Sequence, residues 1–242
     1  MTASAERPRL TASVTDFVLG RVAARMLRPG DALPSEAELA RLLSVSKPVV
    51  REAMGRLVAL GLVSVQQGKP TTIQPLSAGP FQELLRMAVR THDNGLHEAI
   101  ELRRALETEV AALAAERRSE AQVEAMFGHL ATMRANPQRL DPWLRADFAF
   151  HLTLAQAAEN RLLALLVDAL SDVMRYTMRL MGTQMDLRDP MATLARHVAI
   201  AEGVRDRDAE AARRAMRIHF DATDSVVKAI GDDPERLARL ED

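Results

Sequence analysis

The chain has 242 residues, 48% of them hydrophobic but only 3% aromatic, and a formal net charge of −1. That length allows one large domain or two of ordinary size, with cores of Leu, Ala, Val and Met, a composition that favours helix. Cysteine is absent, which excludes a disulfide framework, a thiolate metal site and a cysteine nucleophile.

The first ten residues hold no apolar core and do not read as a signal peptide. No apolar run exceeds six residues, far short of a membrane span. The expectation is a cytoplasmic protein that does not enter the membrane. Charge is unevenly spread: residues 1–75 hold ten Lys/Arg against six Asp/Glu, and the remainder twenty-two against twenty-seven. A basic N-terminal third on an acidic body is the asymmetry expected if only that third meets phosphates.

Leu10 to Leu27 carries Val14, Phe17, Val18, Val22, Met26 and Leu27 at helical spacing, and Pro29-Gly30-Asp31 ends the run. Ser35 and Glu38 make a capping box for a short second helix reaching about Leu43. Ser44-Val45-Ser46 is the turn into a third helix, with Ser46 as N-cap, Val45 and Val50 as a staple and Pro48 in the first turn. That helix is expected to bury Val50, Ala53, Met54, Leu57 and Val58 and to expose Lys47, Pro48, Arg51 and Glu52. Gly61 stops it, and Leu62–Gln66 and Thr71–Ile73 read as strands around Gln67-Gly68-Lys69-Pro70.

Three helices and a hairpin over residues 1–75 make a winged helix-turn-helix. Residues 76–80 read as a linker. Beyond it, helices are expected near 81–92, 95–117, 120–134, 142–158, 161–185, 190–206 and 208–230, with Asp141-Pro142 as an N-cap pair. The fold class is therefore mainly α: the winged domain, then an all-α bundle over 81–231 for ligand binding and dimerisation, then a tail at 232–242.

A major groove admits one helix, and exposed residues at its N-terminal end read base edges. Here those are Ser46, Lys47, Pro48 and Arg51. Ser46 suits a phosphate at the helix N-terminus, and Lys47 or Arg51 suits guanine or phosphate. The wing tip, Gln67-Gly68-Lys69, suits a groove edge. A winged domain used for protein interaction is the plainer alternative.

In the second domain, Asp147 and His151 share one helix face at i, i+4, and His197 and His219 fall on two later helices. One carboxylate and three imidazoles could form a mononuclear metal site in a bundle core. A hydrogen-bonded core histidine and an ordinary Asp–His pair are the alternatives. Met174, Met178 and Met181 could line a pocket or simply fill core. A hydrolytic metal centre and a pure metal sensor both remain open at this level.

The series Pro29-Gly30-Asp31, Leu33-Pro34-Ser35-Glu36, Leu39-Ala40, Val45-Ser46, Val50-Arg51-Glu52-Ala53, Leu57, Gly61-Leu62-Val63 and Gly68 resembles the DNA-binding domain of the GntR family of bacterial regulators. The resemblance implies DNA contacts at Ser35, Ser46, Lys47, Pro48, Arg51, Gln67, Gly68 and Lys69. Two positions depart from the family pattern: Ala37 stands where Arg is frequent, and Lys47 replaces an Arg, losing its bidentate fork.

Glu101-x-Arg103-x-x-Leu106-Glu107, Asp147-x-x-x-His151, Asn160, His197 and Met216-x-x-His219 are similar to the FCD-type C-terminal effector domain of the FadR subgroup. What this implies is a metal held by Asp147, His151, His197 and His219, with Arg103 and Asn160 at the effector. Three nitrogens and an oxygen suit Zn²⁺ first and Ni²⁺ second. The acyl-CoA-binding founder of the subgroup lacks this set, which argues against a fatty acyl-CoA. The implied protein is a homodimeric regulator, a repressor of a catabolic operon and not an enzyme. It binds double-stranded operator DNA and responds to a small carboxylate effector, an organic or sugar acid.

Overall fold

The computed structural model describes residues 3–92, 94–175 and 189–231. Two compact units, Met1–Pro80 and Phe81–Asp242, each enclose a core of their own.

The first unit contains α1 (Ala3–Ala23), α2 (Glu36–Leu42), α3 (Lys47–Ala59), β1 (Val63–Ser64) and β2 (Thr72–Ile73). Helix α1 starts before Leu10 and stops before Leu27. Arg25 turns left-handed at φ 57°, and the Met26 N–H reaches back to the Arg21 carbonyl at 2.9 Å. That bond, with Arg25 N–H to the Val22 carbonyl, closes the helix before its apolar pattern runs out. The same closure ends α2 at Ser44 and α3 at Gly61. The capping box at Ser35 and Glu38 is present in both directions.

Val14 and Val18 of α1, Leu39 of α2 and Val50, Ala53 and Leu57 of α3 pack with Leu33, Val63 and Ile73. On α3 the buried stripe is 49, 50, 53, 54 and 57. Val58, expected to be buried, is 43% exposed, and Val49, on neither expected list, joins the stripe at 5% exposed. Val58 lies one position past the edge of the stripe. The strands are two residues each, paired antiparallel with Val63 opposite Ile73. Segment 30–33 flanks β2 on its other side, through Leu33 N–H to the Thr71 carbonyl and Ile73 N–H to the Asp31 carbonyl. Pairing stops at Ser64 because Val65 and Gln66 already belong to the exposed tip.

The second unit is helical: α4 (Gly79–Thr91), α5 (Gly95–Arg117), α6 (Glu120–Ala135), α7 (Leu140–Ala157), α8 (Arg161–Ala169), α9 (Pro190–Arg205) and α10 (Ala209–Gly231). Helix α4 begins inside the stretch read as linker, with Pro80 in its first turn, where a missing N–H is harmless. Helix α7 begins at Leu140 with Arg139 at the N-cap, so Asp141 sits in the first turn instead of capping it. There its charge still opposes the positive end of the helix dipole. Helix α8 breaks at Leu170, and residues 171–175 are helical again. The expected continuation to 185, Met178, Met181 and the tail at 232–242 lie outside the described residues.

Helix α5 packs on α10, α10 on α9, and α6 on α7. Small residues allow the close approaches: Ala111, Ala114, Ala115 and Ala212 are fully buried. At Gly203 an added Cβ would lie 2.6 Å from the Ala212 nitrogen, so α9 and the start of α10 meet where no side chain fits. Facing positions of α5, α7, α9 and α10 thus converge on one interior. No described helix is long and apolar enough to cross a membrane.

Candidate metal and effector site

In the first unit, Lys47, Pro48 and Arg51 lie exposed at the N-terminal end of α3, next to Ser46. Ser46 is the N-cap by position, but its hydroxyl makes no capping bond. Ser35 differs: its hydroxyl accepts from Glu38 N–H and donates to the Glu38 carboxylate at 2.8 Å, so it is spent on the cap of α2. Arg51 is 3.2 Å from Glu36 at the start of α2, an exposed pair that steadies the guanidinium across the two helices. Gln67, Gly68 and Lys69 form the exposed hairpin tip, which Gly68 turns at φ 74°.

The second unit brings Asp147, His151, His197 and His219 together. Asp147 and His151 come from α7, His197 from α9 and His219 from α10, and all four are buried. One ring nitrogen from each histidine lies within 4.8 Å of the others. Phe150 meets the rings of His151 and His197 edge-on, at centroid distances of 5.6 and 5.1 Å.

The outward nitrogens settle which way the rings are protonated. His197 Nδ1 lies 2.9 Å from the Thr193 carbonyl, which only accepts, so Nδ1 carries the proton. His151 Nδ1 lies 2.5 Å from the Glu107 carboxylate and carries its proton for the same reason. In the neutral rings each Nε2 is then a bare lone pair, and the two Nε2 atoms face each other at 3.3 Å. Asp147 adds a carboxylate oxygen 2.9 Å from His197 Nε2, and its other oxygen is 4.0 Å from His151 Nε2. Among the described residues, neither Asp147 oxygen has a partner of hydrogen-bond geometry, and His219 Nδ1 has none either.

Lone pairs and a buried anion aimed at one point repel unless a cation sits between them. The 3.3 Å separation also matches the ligand–ligand edge of about 3.3 Å that Zn–N bonds of about 2.0–2.1 Å give in a tetrahedron. These residues fit a divalent ion.

Electrostatics favour the ligating forms. Burial would raise the Asp147 carboxyl, but the positive charge that His197 and His151 carry when protonated, together with Arg103, outweighs it and holds it below its ordinary range. Burial, with His197, His151 and two arginines around it, pushes His219 well below an ordinary histidine, so it is neutral. Burial also opposes ionisation of Glu107, yet Arg103 and His151 bring it down to about 2.

Arg103 of α5 is buried. Its Nε donates to Glu107 at 2.8 Å, its plane lies over Phe220, and among the described residues its Nη2 has no acceptor. A cavity of about 400 Å³ opens beside the histidines, bounded among the described residues by Arg103, Asp147, His151, His219, Trp143 and Arg196, with Met174 also on its wall. Asn160 does not join them. It is exposed at the N-cap of α8, where its side-chain oxygen accepts from Leu162 and Leu163 N–H.

Glu107 and Arg196 are functional candidates that the sequence reading passed over. Glu107 had a signal, since it stands i+4 from Arg103 on one face of α5. Arg196 had none, because its helix position alone does not place it on the cavity wall.

A model for "Bacterial regulatory proteins, gntR family" matches residues 10–73, and one for "FCD domain" matches residues 98–222. The chain is 38% identical over 153 residues to HTH-type transcriptional regulator LutR of Bacillus subtilis (strain 168), spanning 63% of this chain and 70% of that protein. It is 28% identical over 236 residues to HTH-type transcriptional repressor NanR of Citrobacter rodentium (strain ICC168), spanning 95% and 90%. The fold is shared with the solved structure of Streptococcus agalactiae GntR, at a TM-score of 0.73 and 24% identity over 89% of this chain and 99% of that one. With a gntR match over its first unit and an FCD match over half its length, the chain belongs to the GntR family of bacterial regulatory proteins, as a DNA-binding transcription regulator and not an enzyme.

Proposed function

We propose that this regulator is a cytoplasmic, homodimeric repressor of a catabolic operon whose grip on operator DNA is set by a small organic or sugar acid at a metal in the second unit. Asp147, His151, His197 and His219 hold the ion, Zn²⁺ by preference and Ni²⁺ as the second choice. The observation that carries this is the pair of bare Nε2 atoms and the Asp147 carboxylate meeting beside a cavity. In that cavity, Arg103 keeps an unpartnered N–H. A bound ion supplies a Lewis-acidic anchor for a carboxylate, and Arg103 supplies a charge-assisted hydrogen bond to it.

Repression is supported by the printed name of the NanR relative. A homodimer is supported by Phe81, Leu84 and Met87, large apolar side chains left exposed on α4. On DNA, Ser46, Lys47, Pro48 and Arg51 enter the major groove, and Gln67, Gly68 and Lys69 track its edge, with Ser35 behind them.

Mobility-shift titration with DNA from upstream of its own gene tests the reading. Arg51→Ala is expected to weaken specific binding by about 1–3 kcal/mol. Lys69→Ala should instead lower the salt slope by about 1 and weaken all sequences alike. Operator release by Zn²⁺ alone would make the protein a metal sensor. No sequence-specific binding at moderate salt would end the proposal.

A further inference from the structure

Arg196 is the cavity residue that a one-carboxylate ligand leaves unexplained. It extends from α9, one residue before His197, and is half-buried on the wall. Its Nη2 donates to the Thr193 hydroxyl at 2.9 Å, and that hydroxyl donates onward to the Asp189 carbonyl. The guanidinium is therefore braced. Its Nε is buried with no acceptor among the described residues, as is Nη2 of Arg103. Asp189 is exposed and gives a side-chain oxygen to the cap of α9 at Ala192 N–H, and among the described residues no ion pair to Arg196 forms.

The hydroxyls of the wall are not free donors. Thr193, Thr223 and Ser225 each give their proton to a carbonyl of their own helix turn or its cap. Among the described residues, the guanidinium donors of the wall left without an acceptor are these two N–H groups, so the cavity is built to receive acceptors that carry charge. Leu140, Trp143, Leu144 and Val226 supply an apolar wall between these ends.

We infer that Arg196 is a second anion anchor and that the effector is a dianion, a short-chain dicarboxylic acid with one carboxylate at the metal and Arg103 and the other on Arg196. This rests on the metal-and-carboxylate reading above.

Calorimetric titration of the Zn²⁺-loaded full chain, dialysed free of excess metal, provides the test. The probes are malonate, succinate, glutarate and adipate, each against the monocarboxylate of equal length. At least one dicarboxylate is expected to bind about 10-fold or more tighter than its partner, the scale of one charge-assisted hydrogen bond. Arg196→Gln should bring that ratio close to one, and Arg196→Lys should restore part of it. Binding of monocarboxylates with no gain from the second carboxylate overturns the inference and leaves the carboxylate reading standing. An equal dicarboxylate preference in Arg196→Gln overturns it too. If neither series binds metal-loaded protein, both readings fall.

Discussion

Replacing His197 or Asp147 by alanine is expected to lower Zn²⁺ affinity by at least about 100-fold, above the roughly 10–100-fold that loss of an outer partner costs. The reason is geometric. His197 Nε2 is close to both His151 Nε2 and the Asp147 oxygen, so it occupies the middle of the donor set. Its Nδ1–H bond to the Thr193 carbonyl fixes the tautomer and makes the outward nitrogen a ready donor. Asp147 supplies the set's only negative charge, and removing it leaves a cation to be held by neutral rings alone. Competition against a chromogenic chelator measures the change. Operator binding belongs to the other unit and should survive in both variants. Wild-type metal affinity in either one would remove that residue from the ligand set.

Glu107→Ala is expected to have the largest effect on stability, about 3–5 kcal/mol, because it strands the buried Arg103 charge. It also removes the acceptor that orients His151, so metal affinity should fall a further 10–100-fold or so. The pH dependence follows from the direction of the shift. The Glu107 carboxyl drops from an ordinary 4.5 to about 2 in the folded chain. A depressed carboxyl stabilises the fold above its unfolded value, and that contribution is lost as pH falls from about 4.5 towards 2. In chelator-treated protein, urea unfolding across that window should show stability falling with pH in the wild type. The Glu107→Gln chain should show a flatter profile. Equal slopes in the two would mean that Glu107 is not the ionised partner of Arg103 and His151.

Much of the architecture was legible because local chemistry agrees with the global fold. Ser35 with Glu38 forms the expected capping box. Gly61 ends α3 as its αL preference requires. Failures came where backbone closure or tertiary packing outvoted pattern. The apolar series of α1 continues to Leu27, but a left-handed Arg25 ends the helix first. Pro142 suits the first helical position, yet α7 starts two residues earlier and takes the proline within its opening turn. At the site, the i, i+4 spacing of Asp147 and His151 was readable because it lies on one helix. Partners that meet across helices were not. Thr193 acts through a carbonyl, which no side chain announces. Arg196 depends on the rotation of α9 about its own axis. Asn160 carried a family expectation, but its oxygen is taken by the amides of α8.

In the proposed function, an acid bound at the buried metal site controls DNA binding by the other unit. Fluorescence anisotropy with the upstream DNA tests it directly, using Zn²⁺-loaded wild type and His197→Ala across the acid series. The expected result is that at least one acid shifts operator affinity about 10-fold or more in metal-loaded wild type, a coupling near 1.4 kcal/mol. The same acid should leave His197→Ala unmoved. Operator affinity that ignores every acid, or that shifts equally in the variant, would contradict it.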